Sequence, residues 1–135
     1  MTIALLQKQH EQIHEIIQEL LHVPQEKLEE KAFDISMKIG QLAGVLLFHL
    51  QSEDKFLYPN LMEHENSHIR STAKAFTDEM GNLGEKFAVF KAKYMQPKNI
   101  KANPEKFRQD LGEIVAELKN RIEREEMELY PLLGK

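Results

Sequence analysis

Four stretches of the chain place apolar residues three and four positions apart, the spacing of an amphipathic α-helix. In the first, Ile3, Leu6, His10, Ile13, Ile17 and Leu20 share one face, which predicts a helix over 3–21. His22-Val23-Pro24 ends it, because proline disfavours helical geometry in the residue before it. The second stripe is Ile35, Ile39, Leu42, Leu46, His49, Glu53 and Phe56. Its helix is expected to start between Gln25 and Ala32 and to end near Tyr58, ahead of Pro59. Asn60 to Asn66 then reads as a short connection, with Asn66 or Ser67 capping the next helix. The third stripe, Ile69, Ala73, Phe76, Met80, Leu83, Phe87, Phe90 and Tyr94, is the cleanest. Met95 to Pro104 holds Pro97, Asn99 and Asn103 and reads as a loop. The fourth stripe, Phe107, Leu111, Ile114, Leu118, Arg121 and Glu125, continues to Leu129 in a helix from Pro104 to Tyr130.

Four such helices with short connections pack as an all-α, up-down-up-down four-helix bundle. A chain of 135 residues forms one domain, 1–135, with a real core. Polar residues interrupt three of the stripes, and antiparallel packing sets them at one level. His10 near the start of the first helix lies level with His49 and Glu53 near the end of the second. Met80 likewise lies level with Arg121 and Glu125.

Composition narrows the chemistry. A hydrophobic content of 41% with 30% charged residues suits a soluble helical protein. The net charge of -4 and the lack of any Lys/Arg block give no reason to expect a nucleic-acid partner. With no cysteine, disulfides, thiolate metal sites and iron–sulfur clusters are excluded, and a reducing cytoplasm fits. The N-terminus turns polar too soon for a signal peptide, and the longest apolar run, Leu42 to Phe48, is too short to span a bilayer. There is no Gly-rich phosphate loop, no Gly-x-Ser-x-Gly elbow and no nucleophile with an adjacent base, so an enzyme is the weakest reading.

One segment occurs twice. His49-Leu50-Gln51-Ser52-Glu53-Asp54-Lys55-Phe56-Leu57-Tyr58-Pro59 returns as Arg121-Ile122-Glu123-Arg124-Glu125-Glu126-Met127-Glu128-Leu129-Tyr130-Pro131. Glu53 matches Glu125 and both copies end in Leu-Tyr-Pro, but His49 is matched by Arg121. Four-residue spacing puts His49 and Glu53 on one helical face, close enough to bind one ion. The first copy therefore has a metal-ligand pattern, and the second carries a permanent cation in place of its histidine.

With His10 in Gln9-His10-Glu11-Gln12-Ile13, the His49-x-x-x-Glu53 pair and Glu125-Glu126 before Leu129-Tyr130-Pro131, nearly the whole chain resembles the hemerythrin-like, or HHE cation-binding, domain. Such domains hold two irons between four helices on histidines and two bridging carboxylates; they bind oxygen or serve in metal, oxygen or redox sensing and storage. The resemblance implies His10, His49 and Glu53 as metal ligands, with Glu125 or Glu126 as the second carboxylate; the stripe favours Glu125. It also marks two departures. The third helix has Glu79-Met80-Gly81 and the fourth has Arg121 where the family places histidines.

Two readings follow for this degenerate site. In one, His10, His49, Glu53 and Glu125 bind or sense one non-haem iron or zinc, without oxygen carriage on a full diiron centre. In the other, the bundle is metal-free and regulatory, and Arg121 forks onto Glu53 and Glu125 in place of the metal charge. A haem on a histidine and Met80 is disfavoured by Arg121, Glu53 and Glu125 in the same interior. His64 and His68 have metal-ligand spacing but precede the third stripe, while His14 and His22 lie off the first.

Overall fold

The structure is a computed structural model. It describes the backbone of residues 3–134, and side chains throughout that range apart from positions 80, 81 and 134. Met80, expected level with the polar positions, thus lies outside the described side chains. Every regular element among the described residues is helical: α1 (Ile3–Leu21), α2 (Ala32–Ser52), α3 (Tyr58–Met62), α4 (Ser67–Tyr94), α5 (Pro97–Ala102) and α6 (Pro104–Arg124), with short 3-10 turns at Gln25–Lys27 and Tyr130–Gly134. α1 packs along α2, and α4 along α6, as an antiparallel bundle requires.

The ends follow local chemistry. The Asn66 side chain caps α4 by accepting from the His68 amide at 2.8 Å, and Asn103 caps α6 by accepting from the Lys106 amide at 3.1 Å. Pro97 and Pro104 open α5 and α6, where a missing N–H costs nothing. The segment expected to be a loop, Met95 to Pro104, therefore contains a short helix, anchored by the fully buried Ile100. At the end of α1, Arg108 donates to the carbonyls of Leu21 and Val23, which would otherwise lack partners.

The second helix does not stop ahead of Pro59. It opens into a π turn at Glu53–Leu57 and continues as α3. α6 does the same at Glu125–Leu129. In each, the tyrosine amide bonds the carbonyl five residues back, Tyr58 to Glu53 and Tyr130 to Glu125. The proline that follows explains the widening. It has no N–H, and its ring would clash with the carbonyl four residues earlier. The wider turn changes what faces inward. Five residues on in an α-helix, a side chain points about 140° away; here Tyr58 and Tyr130 are buried with Glu53 and Glu125. Phe56, expected on the second stripe, is turned out to 39% exposure and Leu57 takes its place at 1%.

The core falls into two apolar clusters. The larger runs from Ile13 and Leu46 to the aromatic group of Phe90, Tyr94 and Phe107. The smaller holds Leu6, Leu57, Leu61, Ile69, Phe76 and Leu129, with Tyr58 and Tyr130. His10, His49, Glu53, Arg121 and Glu125 are buried between them. Within α2 and its continuation, Ala32–Met62, an 18-residue window reaches a mean hydropathy of 1.2, enough by length and composition to cross a membrane. In the bundle this helix buries Ile35, Ile39, Leu42 and Leu46 and leaves Phe33, Met37, Leu47 and Phe48 exposed.

Candidate metal centre

The polar layer is built from the two halves of the sequence repeat and from α1. His10 Nε2 lies 3.1 Å from His49 Nε2 and 2.9 Å from Glu125 Oε1. His49 Nε2 lies 3.3 Å from both Glu53 Oε2 and Glu125 Oε1. One donor atom from each of His10, His49, Glu53 and Glu125 falls within 4.8 Å of the others, and all four residues are buried. They form the one such cluster among the described residues.

The outer nitrogens fix how the histidines face this centre. Ser52 donates to the Phe48 carbonyl at 2.9 Å, so its oxygen can only accept from Gln9 Nε2, 3.2 Å away. That orients the Gln9 amide, and its Oε1 accepts from His49 Nδ1 at 2.7 Å. On the other side, His10 Nδ1 donates to Glu126 Oε1 at 3.1 Å. Both histidines thus carry a proton on Nδ1 and turn Nε2 inward, the arrangement by which outer partners orient ligating histidines.

Electrostatics in the buried layer are strongly perturbed. Burial works against a charged His49, yet hydrogen bonds to Glu125 and Glu53 outweigh it and push His49 up to about 9. Burial, with repulsion from Glu125, pushes Glu53 up to about 7. Glu125 is also desolvated, but hydrogen bonds from His10 and His49 hold it well below the usual carboxylate range. Burial and the two carboxylates push the Tyr58 and Tyr130 hydroxyls well above the ordinary phenol value.

Arg121 does not take the position expected in the metal-free reading. It is buried at 4% exposure but does not fork onto both carboxylates. Its Nε lies 3.5 Å from Glu125 Oε2, and among the described residues it makes no ion pair with Glu53. The guanidinium instead turns across the bundle. Nη2 donates to the Phe76 carbonyl at 2.6 Å and to Tyr58 Oη at 3.0 Å, Nη1 reaches Glu79 at 3.4 Å, and the group stacks 4.3 Å over the Phe76 ring. Tyr58 and α4 hold the cation beside the four-residue cluster rather than inside it.

The remaining sequence candidates separate cleanly. Glu126, the alternative to Glu125, is 40% exposed and touches His10 from outside. His64 Nδ1 accepts from the Asn66 amide at 3.0 Å in the connection before α4, and His68 is exposed. His14 is half-buried, and His22 Nδ1 binds the Gln18 carbonyl at 2.7 Å. Four residues of the layer carried no signal in the stripes: Gln9, Ser52, Tyr58 and Tyr130. The Leu-Tyr-Pro repeat marked both tyrosines but not the direction they face, because that depends on the π turns.

The cluster suits a metal ion. Glu53 Oε1, Glu125 Oε2 and Arg121 Nε are buried without a hydrogen-bond partner, so each carboxylate keeps an oxygen with free acceptor capacity. An ion about 2.1 Å from nitrogen and oxygen donors sets neighbouring donors roughly 3.0–3.4 Å apart, close to the 2.9–3.3 Å separations between inward-facing atoms. Two imidazoles with two carboxylates are a donor set that could hold a metal ion.

Fold and cluster together define a helical bundle with a histidine–carboxylate group in its interior that could hold a metal. The hemerythrin HHE cation-binding domain family matches residues 1–133, and the chain belongs to that family. No curated protein and no solved structure matches the chain significantly.

Proposed function

We propose that the domain binds a single metal ion, non-haem iron or zinc, through His10, His49, Glu53 and Glu125, and acts in metal binding or sensing rather than in oxygen carriage on a diiron centre. The observation that carries this reading is the convergence of two Nε2 atoms and two carboxylates, each with one oxygen that lacks a hydrogen-bond partner. The ion would supply positive charge to that layer and, as iron, a redox centre. The chain's own residues do the rest. Gln9 and Glu126 hold the imidazoles in register, and the two apolar clusters exclude water. Arg121, which cannot ligate a metal, fills the other half of the layer with charge. This leaves one ion's worth of donors.

Metal content of untagged protein by plasma mass spectrometry tests the proposal. About one equivalent of iron or zinc is expected, lost in His49→Ala. A metal-free parent would overturn it. That outcome would favour the second reading, a metal-free regulatory bundle, which draws on the Arg121 Nε contact to Glu125.

A further inference from the structure

We propose that Tyr130 is a fifth donor to the ion, binding as a phenolate when the ion is trivalent iron. The inference deepens the single-ion reading and rests on it. Tyr130 is 2% exposed, and its hydroxyl lies 3.1 Å from His10 Nε2 and donates to Glu53 Oε2 at 3.1 Å. It therefore touches two of the four candidate donor atoms. Its ring stacks on His10, centroids 5.4 Å apart at 15°, and the π turn beginning at Glu125 fixes its direction. Tyr58, its counterpart in the repeat, is engaged elsewhere, accepting from Arg121 Nη2 at 3.0 Å.

Charge counting points the same way. With the Arg121 and Arg124 charges set against Glu79 and Glu128, Glu53 and Glu125 balance a divalent ion on two neutral histidines. A trivalent ion needs one more anion, and the Tyr130 oxygen is the group already in place. Tyrosine oxygen is an established ligand of iron, and a bound cation reverses the effect of burial on an ionisable donor. As the iron–oxygen bond forms, the hydroxyl proton now directed at Glu53 leaves to solvent, as protons do when ligands take up metal. No electron is transferred in this step.

The test loads metal-free protein with excess Fe(III)–nitrilotriacetate, removes unbound iron, and records iron content, visible absorption and resonance Raman spectra together. The parent is expected to hold iron and to show a phenolate-to-iron charge-transfer band with enhanced phenolate modes. Tyr130→Phe is expected to lose the band while still taking up iron, held more weakly, and Tyr58→Phe to keep it. The chain has three tyrosines, and the third, Tyr94, sits in the far cluster bonded to Asp110 at 2.5 Å. If Tyr130→Phe fails to fold, Tyr58→Phe decides: a band retained there belongs to Tyr130, and a band lost there overturns the assignment. Iron in the parent without the band overturns the Tyr130 role and leaves the four-ligand reading standing. A parent that takes up no iron overturns both.

Discussion

His49 is oriented by a chain of side chains that ends on a backbone carbonyl. Ser52 holds Gln9, and Gln9 holds Nδ1. Such outer partners typically contribute about 10–100-fold to metal affinity. Gln9→Ala is therefore expected to weaken metal binding by about that factor in competition with a chelator, while its helical circular dichroism stays that of the parent. Unchanged affinity would show that Gln9 does not position the ring. His10, His49, Glu53 and Glu125 could be read from the sequence because each is a polar residue on an otherwise apolar stripe. Gln9 and Ser52 stand beside the stripes. Their burial comes from how closely α1 approaches α2, and periodicity does not report that.

Among the elements, the two π turns decide which side chains reach the polar layer. An unbroken α-helix through Glu53 would bury Phe56 and send Tyr58 outward; the π turn reverses this. Leu57→Ala should therefore cost about 2–5 kcal/mol in chemical denaturation, as for a filled core position, and Phe56→Ala less than about 1 kcal/mol. The opposite order would restore the α-helical register. The four long helices and most of their bounds were legible in the sequence, down to the Asn66 cap and the Pro104 start. The π turns escaped because stripe counting assumes one period throughout. Proline after Leu-Tyr was the available signal, and it read as a stop. The α5 helix escaped for a similar reason, since Pro97 and Asn103 are breakers inside a helix but fit its two ends.

In the whole molecule, the polar layer separates two apolar clusters and is unequal across the bundle. The repeat delivers Glu53 and Glu125 to the same level from two helices, so the carboxylates are symmetric, and both are buried. The nitrogen donors are not: His10 and His49 face them from α1 and α2, whereas α6 offers Arg121. That asymmetry was visible in the sequence as His49 against Arg121. The direction of Arg121, toward Tyr58 and the Phe76 carbonyl, was not, because a long side chain on a buried face can turn either way. The most direct test of a one-ion site beside an arginine is stoichiometry: an anaerobic titration of metal-free protein with ferrous iron, read as ions bound per chain. The account predicts a break at one equivalent. A break at two would show that the Arg121 side also holds metal, and no saturable uptake would show that the cluster is not a metal site.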